Sequence, residues 1–481
     1  MSVGFLMIPT QINRYIVTAA LCTAIGSVGA LDVAFAQQRP SLPPNSPFAG
    51  GVPEGTAVPE SLTLSIADVI DRALRHNLGV LVSEQEGEKA AGTRTISLSR
   101  LLPNLSASVT ESRRVNNLEA FGFPLGDQFP RLVGPFNLFD ARLSLTQSVF
   151  DFKALNEMRA DTHILSAARH SYRGARDLVV LVAANAYLQT LAADARAQAV
   201  RAQRDSADAL YRQAQSLRSS GIVAGIDVVR AEVRLSTERQ RATAAENEFQ
   251  KSKLQLARLI GLPIGQTFSV RQDVPNVPVP DMTLQDALNR AYRERPDYLA
   301  ALDRVRAAEA SRRAAAGEAL PSVRLTADYG ALGITPSSAL PTFNVSGAIA
   351  VPIFEGGRVQ GRLAEADADL RTRRAEAEDV RTEIYYDISS AFLDLKATRE
   401  EMETATRSRE LAALQLTQSR DRFAAGVASN IEVVQSQEAV ALASEQYINA
   451  EYSFNLAKAV LARSLGTAEQ AVREFLGSPS K

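Results

Sequence analysis

Asp227 and Glu432 are the residues most open to a chemical role, because each stands six positions after a glycine in two versions of one stretch. "GIVAGIDVVRAE" begins at Gly221, and "GVASNIEVVQSQE" begins at Gly426, 205 positions later. A carboxylate at such a turn can attract cations, repel copies of itself across an axis, or favour the start of a helix, where the macrodipole is positive. Histidine offers less. His76, His163 and His170 are the only three, and His163 and His170, seven apart on one helical face, read as residues of a wet surface. The chain has no phosphate loop, nucleophile elbow or metal-ligand cluster, and its carboxylates are interspersed with Lys and Arg along helix faces. The expectation is no catalytic residue, no cofactor and no metal.

Other classes are excluded by composition and by the N-terminus. A formal charge of −1 over 481 residues gives no bias toward nucleic acid or a polybasic membrane surface. Asn13 and Arg14 precede an apolar stretch from Tyr15 to Val33, and Ala34-Phe35-Ala36 is a small-x-small cleavage site, so residues 1–36 read as an export signal. A retained anchor is the alternative. Cys22, the only cysteine, lies in this stretch, so the exported chain would lack any disulfide, thiol nucleophile or thiolate metal site. Residues 37–60 are rich in Pro, Gly and Ser and read as an extended tether.

The repeated turn belongs to a longer repeat. "SIADVIDRALR" from Ser65 aligns with "TLQDALNRAYR" from Thr283 at an offset of 218, and "LLPNLSAS" from Leu101 aligns with "ALPSVRLT" from Ala319 at the same offset. Phe150-Asp151 matches Phe354-Glu355 at 204, and Ala186-Tyr187-Leu188 matches Ala391-Phe392-Leu393 at 205. The first half therefore carries about 14 extra residues between Leu105 and Phe150. A period this long points to duplication rather than a stacked solenoid. The reading is a first repeat over 61–261, a linker over 262–281, a second repeat over 282–466 and a tail over 467–481.

Within each repeat two kinds of element alternate. Residues 175–220 and 362–425 lack Gly and Pro and are dense in Ala, Leu, Arg, Glu and Gln, so they read as helices. A helix from Phe152 to Ser219 has 68 residues and runs about 100 Å at 1.5 Å per residue. Clean Leu heptads of a cytosolic coiled coil are absent. "NLSASVT" from Asn104 sets Leu105, Ala107 and Val109 against Ser106, Ser108 and Thr110, and "ARLSLTQSVF" continues with Leu143 and Leu145 against Ser144 and Thr146. "VRLTADY" and "FNVSGAIAVPIF" repeat this alternation, with Val345, Ile349, Val351 and Ile353 on one side. Each half thus inserts a β-hairpin (about 104–150 and about 322–354), begun at Pro103 and Pro321, between helices that reverse at tips about 219–226 and about 424–431. Residues 118–138 and about 331–341 read as the two hairpin loops. Seven of the 18 phenylalanines fall in 121–152, as an interfacial girdle requires in a chain without Trp.

Four strands cannot close a membrane barrel, and an open sheet would expose its edges to lipid. The fold class is mainly α with β-barrel segments, in duplicated helix–β-hairpin–long helix–turn–helix halves, and the chain must pool its strands with copies of itself.

Over about residues 61–466 the sequence resembles the TolC-type outer-membrane efflux factors. The duplicated halves, the Pro-initiated hairpins, "VPIFEGGR" from Val351 and the two Gly turns carry the resemblance. It implies a homotrimer with a 12-stranded barrel in the outer membrane, continuing into a periplasmic α-helical barrel. The partners it implies are a periplasmic adaptor, an inner-membrane RND, ABC or MFS transporter and outer-membrane lipid, with no nucleic acid. Gly221 and Gly426 would then mark adaptor-docking tips, and Glu432 would match the family's luminal ring acid at the periplasmic gate, with Asp227 at the equivalent place. A helix-start acid remains the plain alternative for both. The chain departs from the family at Gln435, where a second acid is usual, and at Phe423 and Ala428, where a Tyr and an Arg latch the closed mouth. A periplasmic coiled-coil adaptor or scaffold is the rival reading, and the four alternating segments speak against it.

Overall fold

Two polar residues start equivalent helices. Ser65 accepts a hydrogen bond from the Asp68 amide and Thr283 accepts one from Asp286, so each caps an 11-residue helix, α1 (Ile66–His76) and α5 (Leu284–Glu294). Each helix breaks at once into a second of 22 residues, α2 (Leu78–Ser99) and α6 (Pro296–Gly317). Asn77 makes the first break by capping α2 at Gly79, and Pro296, which needs no amide partner at the first helical position, makes the second. The sequence reading had one helix before each hairpin; the structure has two.

The computed structural model describes residues 46–118, 120, 130–221, 223–271, 282–425, 427 and 430–476. The expected signal segment 1–36 with Cys22, the loop residues Gly122 and Gly126, and Gly426 and Ala428 lie outside the described residues. Strands β2 (Asn104–Asn117), β3 (Leu132–Phe150), β5 (Ser322–Gly333) and β6 (Leu340–Ala350) form one antiparallel sheet in the order β2-β3-β5-β6. Below it run α3 (Phe152–Ser219) and α4 (Gly225–Leu259), then α7 (Arg358–Ala424) and α8 (Asn430–Ser464). A short parallel pair, β1 (Leu62–Leu64) with β4 (Phe268–Val270), and helix α9 (Ala468–Leu476) complete the chain.

The long helices pack side by side through small residues. Helix α3 lies against α2, α4, α6 and α8, and α7 lies against α6 and α8. Its buried face is mostly alanine, including Ala183, Ala184, Ala193, Ala197, Ala207 and Ala214, which lets neighbouring backbones approach. A window of α3 has a mean hydropathy of 1.5, enough for a membrane helix, but 61% of it is buried within the chain itself. The main core joins Val69 and Ile70 of α1 to Val179 and Tyr187 of α3, Leu256 of α4, Phe268 of β4 and Val472 of α9. A second core joins Leu288 of α5 to Ile384 and Ile388 of α7 and Leu461 of α8.

Several expectations need correction. The segment read as a tether is anchored where the Gly51 amide donates to Arg258 O at 2.8 Å and the Val52 amide to His76 O at 2.8 Å, while residues 52–60 stay exposed. The segment read as a linker contains β4, and the tail contains α9, with Ala468 and Val472 fully buried. Strand β6 stops at Ala350 rather than near Phe354, because Pro352 has no amide to donate. Strand β3 already begins at Leu132, inside the expected loop 118–138. His170 is not on a wet face; its Nε2 lies 3.6 Å from Asp303 of α6, and burial lowers its pKa despite that carboxylate.

Helix α9 is held by its buried Ala468 and Val472, by the Arg176–Glu469 and Arg473–Asp71 ion pairs, and by one buried carboxyl. Asp177 of α3 accepts from the Glu469 amide in the first turn of α9, and burial pushes its pKa up to about 6. A carboxyl raised in this way costs the fold nothing while protonated, and stability is lost as pH rises through about 6. Asp177→Asn keeps an acceptor and removes the buried charge. Its thermal midpoint should exceed the parent's at pH 8, and the gap should close by about pH 3, below the unfolded Asp pKa of about 3.9. A constant gap across that range, measured by circular dichroism, would refute this assignment.

Candidate functional site

Two regions carry the features singled out in the sequence: the helical tips at one end and the sheet at the other. At the first tip Gly221 has φ +73°, a left-handed conformation that lets α3 end, and its amide donates to Arg218 O at 2.9 Å. Helix α4 starts at Gly225 with no side-chain cap, and Asp227 in its first turn offsets the exposed amides. Asp227 pairs within its own helix, 3.4 Å from Arg230. Glu432 behaves differently. Its carboxylate crosses from α8 to α7 and lies 3.4 Å from Arg422 Nε. Arg422 adjoins Phe423, the position that lacks the family's tyrosine, and its role was not read from the sequence.

Higher up, a polar seam joins the two helical hairpins. Ser206 Oγ of α3 accepts from Gln437 Nε2 of α8 at 2.8 Å and from Arg420 of α7. Arg234 of α4 lies 3.8 Å from Glu438 of α8, and it also holds Glu238, which is 1% exposed. Ser419 and Ser436 share a buried hydrogen bond of 2.8 Å between α7 and α8. These partners sit more than 200 positions apart in the case of Ser206, so no local pattern announces them.

The sheet separates its faces as the alternation predicts. One cross-strand row reads Leu105, Leu145, Ala327, Val345, and the next reads Ala107, Leu143, Tyr329, Phe343. Leu105, Val109, Tyr329, Phe343, Val345 and Ile349 on this face are exposed. The opposite face reads Asn104, Thr146, Thr326, Ser346 and then Ser106, Ser144, Asp328, Asn344. There Arg142 pairs with Asp328 and, at 3.2 Å, with Asp140. Among the described residues, both outer strands, β2 and β6, have one unpaired edge. Among the described residues no group of three or more His, Cys, Asp or Glu is placed to hold a metal.

The sequence model for the outer membrane efflux protein family matches residues 69–262 and 287–467. The pyoverdine export outer membrane protein OpmQ of Pseudomonas aeruginosa is 23% identical over 419 residues, covering 85% of this chain and 86% of its own. The alkaline protease secretion protein AprF of the same organism is 20% identical over 434 residues, covering 87% and 88%. Among solved structures, the Campylobacter jejuni CmeC outer membrane channel superposes with a TM-score of 0.72 at 20% identity, covering 86% of this chain and 87% of that one.

The two faces of β6 should tolerate charge differently. Val345→Arg places a cation on the apolar face, where a midplane Arg costs about 2–4 kcal/mol, whereas Ser346→Arg adds one to the polar face. Outer-membrane fractions should contain far less of the first variant and normal amounts of the second. Equal yields would mean that the exposed apolar face does not meet lipid.

Proposed function

Given that the chain belongs to the outer membrane efflux protein family and is an efflux channel protein of the outer membrane, we propose that three copies form the exit duct of a tripartite efflux or type I secretion system. The observation that carries this reading is the four-stranded sheet, exposed and apolar on one face and unpaired at both edges. Three such sheets joined edge to edge make a 12-stranded barrel that leaves no strand edge in lipid. The apolar rows then face lipid and the rows through Ser144 and Asp328 face a wet lumen. The matching lengths of α1 and α5, of α2 and α6, and of α4 and α8 support an origin by duplication of one half.

The helices continue the barrel into the periplasm. Helix α3, at 68 residues, reaches about 100 Å from the sheet. Its tip at Gly221, and the second tip at Gly426, are the docking points for a periplasmic adaptor, which couples the duct to an inner-membrane RND, ABC or MFS transporter. The duct is passive. OpmQ is named for pyoverdine export and AprF for secretion of a protease, and relatives named for such different cargo support a pump, rather than the duct, as the selector.

Ser206 holds the two hairpins of one copy together where the family's Tyr and Arg are missing, and Glu432 rings the mouth with its two symmetry mates. Asp227, tied to Arg230 in its own helix, is the weaker gate residue. Arg422 beside Glu432 lowers the field of the ring, so the mouth admits cations without trapping them strongly. Single-channel recording in planar bilayers tests this arrangement. Multivalent cations should block the parent weakly, Glu432→Gln should abolish block, and Arg422→Gln should deepen it. Unchanged block in Glu432→Gln would return Glu432 to the role of a helix-start acid.

A further inference from the structure

We infer that the junction between the sheet and α7 is a phospholipid headgroup site, taking the phosphate on Lys153, Arg358 and Arg362 and an ammonium donor on Glu355. The inference rests on the reading of the sheet as lipid-facing. Strand β6 ends at Ala350, but the apolar alternation does not: Phe343, Val345, Ile349, Val351 and Ile353 are all exposed. From Phe343 to Ile353 is ten residues, roughly 33 Å along the strand, and at a tilt of about 40° this rises about 25 Å. That matches the apolar band of an outer-membrane barrel, about 25 Å tall. Ile353 and Phe354, 95% and 88% exposed, therefore stand at the periplasmic edge of the hydrocarbon. The residues that follow lie at headgroup depth.

A gathering of cations occupies that depth. Gly317 allows the end of α6 to press on the first turn of α3, since a Cβ there would lie 2.7 Å from the Phe152 ring and 3.1 Å from the Lys153 nitrogen. This sets the nearly buried Glu318 carboxylate 2.7 Å from Lys153 Nζ, 2.9 Å from Arg358 Nη1 and in contact with Arg362. One acid holds three cations side by side. The equivalent place in the first half, 218 positions earlier, is Arg100, which makes a single 2.8 Å pair with Glu157. Counted together, Arg100, Lys153, Arg358 and Arg362 are matched by Asp151, Glu157, Glu318 and Glu355, and three of the four cations crowd onto Glu318 alone.

Glu355 supplies the other half of the complementarity. Its Oε1 engages Arg358, while its Oε2 is buried and has no hydrogen-bond partner among the described residues. Spare guanidinium donors and an unmatched carboxylate oxygen, one residue from the exposed Phe354, suit a headgroup with a phosphate and a protonated amine. Phosphatidylethanolamine has both. The choline headgroup has no N–H to donate, and the glycerol headgroup has no ammonium.

Native mass spectrometry of the detergent-extracted, delipidated protein tests the site with phosphatidylethanolamine, phosphatidylcholine and phosphatidylglycerol of matched chains. The ethanolamine lipid should be retained roughly tenfold over either rival, the worth of one charge-assisted hydrogen bond. Arg362→Gln should release all three lipids, and Glu355→Gln should lower the ethanolamine lipid to the choline level. Equal retention of the ethanolamine and choline lipids by the parent, or tighter retention of phosphatidylglycerol, would overturn the proposal without recourse to any variant. Displacement by millimolar glycerophosphoethanolamine would overturn it in favour of a free solute site. A protein that needs no detergent and retains no lipid would instead remove the reading of the sheet itself.

Discussion

The structure depends on one constraint: strand edges cannot remain unpaired in hydrocarbon, where no water replaces the missing partner. Four strands in the order β2-β3-β5-β6 leave two such edges, and the exposed apolar face through Leu105, Tyr329 and Val345 places them in lipid. In the proposed assembly the remedy comes from identical chains, because every other backbone pairing within the sheet is used by the two hairpins and the β3–β5 junction. Once the sheets join in a ring, the helices attached to the strand ends must also ring the same axis. The long helices then require a surface that packs on both sides, and alanine along α3 provides it. The rest of the molecule, from the β1–β4 pair to α9, braces these helices from one side.

The two halves share helix lengths, to within one residue, but not chemistry. Corresponding positions carry Arg100 and Glu318 after α2 and α6, and Glu157 and Arg362 in the second turns of α3 and α7. The signs are exchanged, so each half keeps an ion pair at the sheet–helix junction while only the second gathers three cations. The tips diverge in the same way. Asp227 is satisfied within α4, whereas Glu432 spans α8 to α7 through Arg422. Under the proposed duplication, the helical plan is kept in both halves and the side chains change where the two face different neighbours.

What could be read from the sequence follows from the range of each interaction. The strands were legible because Leu105, Ala107 and Val109 alternate with Ser106, Ser108 and Thr110, and a lipid–water boundary allows little else. The bounds of α3 were legible because Asp151 caps its start and Gly221 ends it, both local signals. The anchoring of residues 46–52 was not, since a Pro-rich stretch reads as extended whether or not Gly51 and Val52 find backbone partners. Helix α9 was missed because nine residues are too few to show a period, and its cap, Asp177, is almost 300 positions away. At the mouth, the glycines and acids were visible as a repeat. Arg422, Ser206 and Gln437 were not, because their value depends on which helices become neighbours.

The count of copies is the most direct test of this account. Because the exported chain is expected to lack cysteine, single cysteines can be introduced on β2 and on β6 and scanned along both edges for disulfide formation in isolated outer membranes. The account predicts that one register gives a denatured ladder of monomer, dimer and trimer, with the trimer as its largest member and no disulfide within one chain. Cross-links confined to single chains, a ladder ending at the dimer, or products larger than a trimer would contradict it.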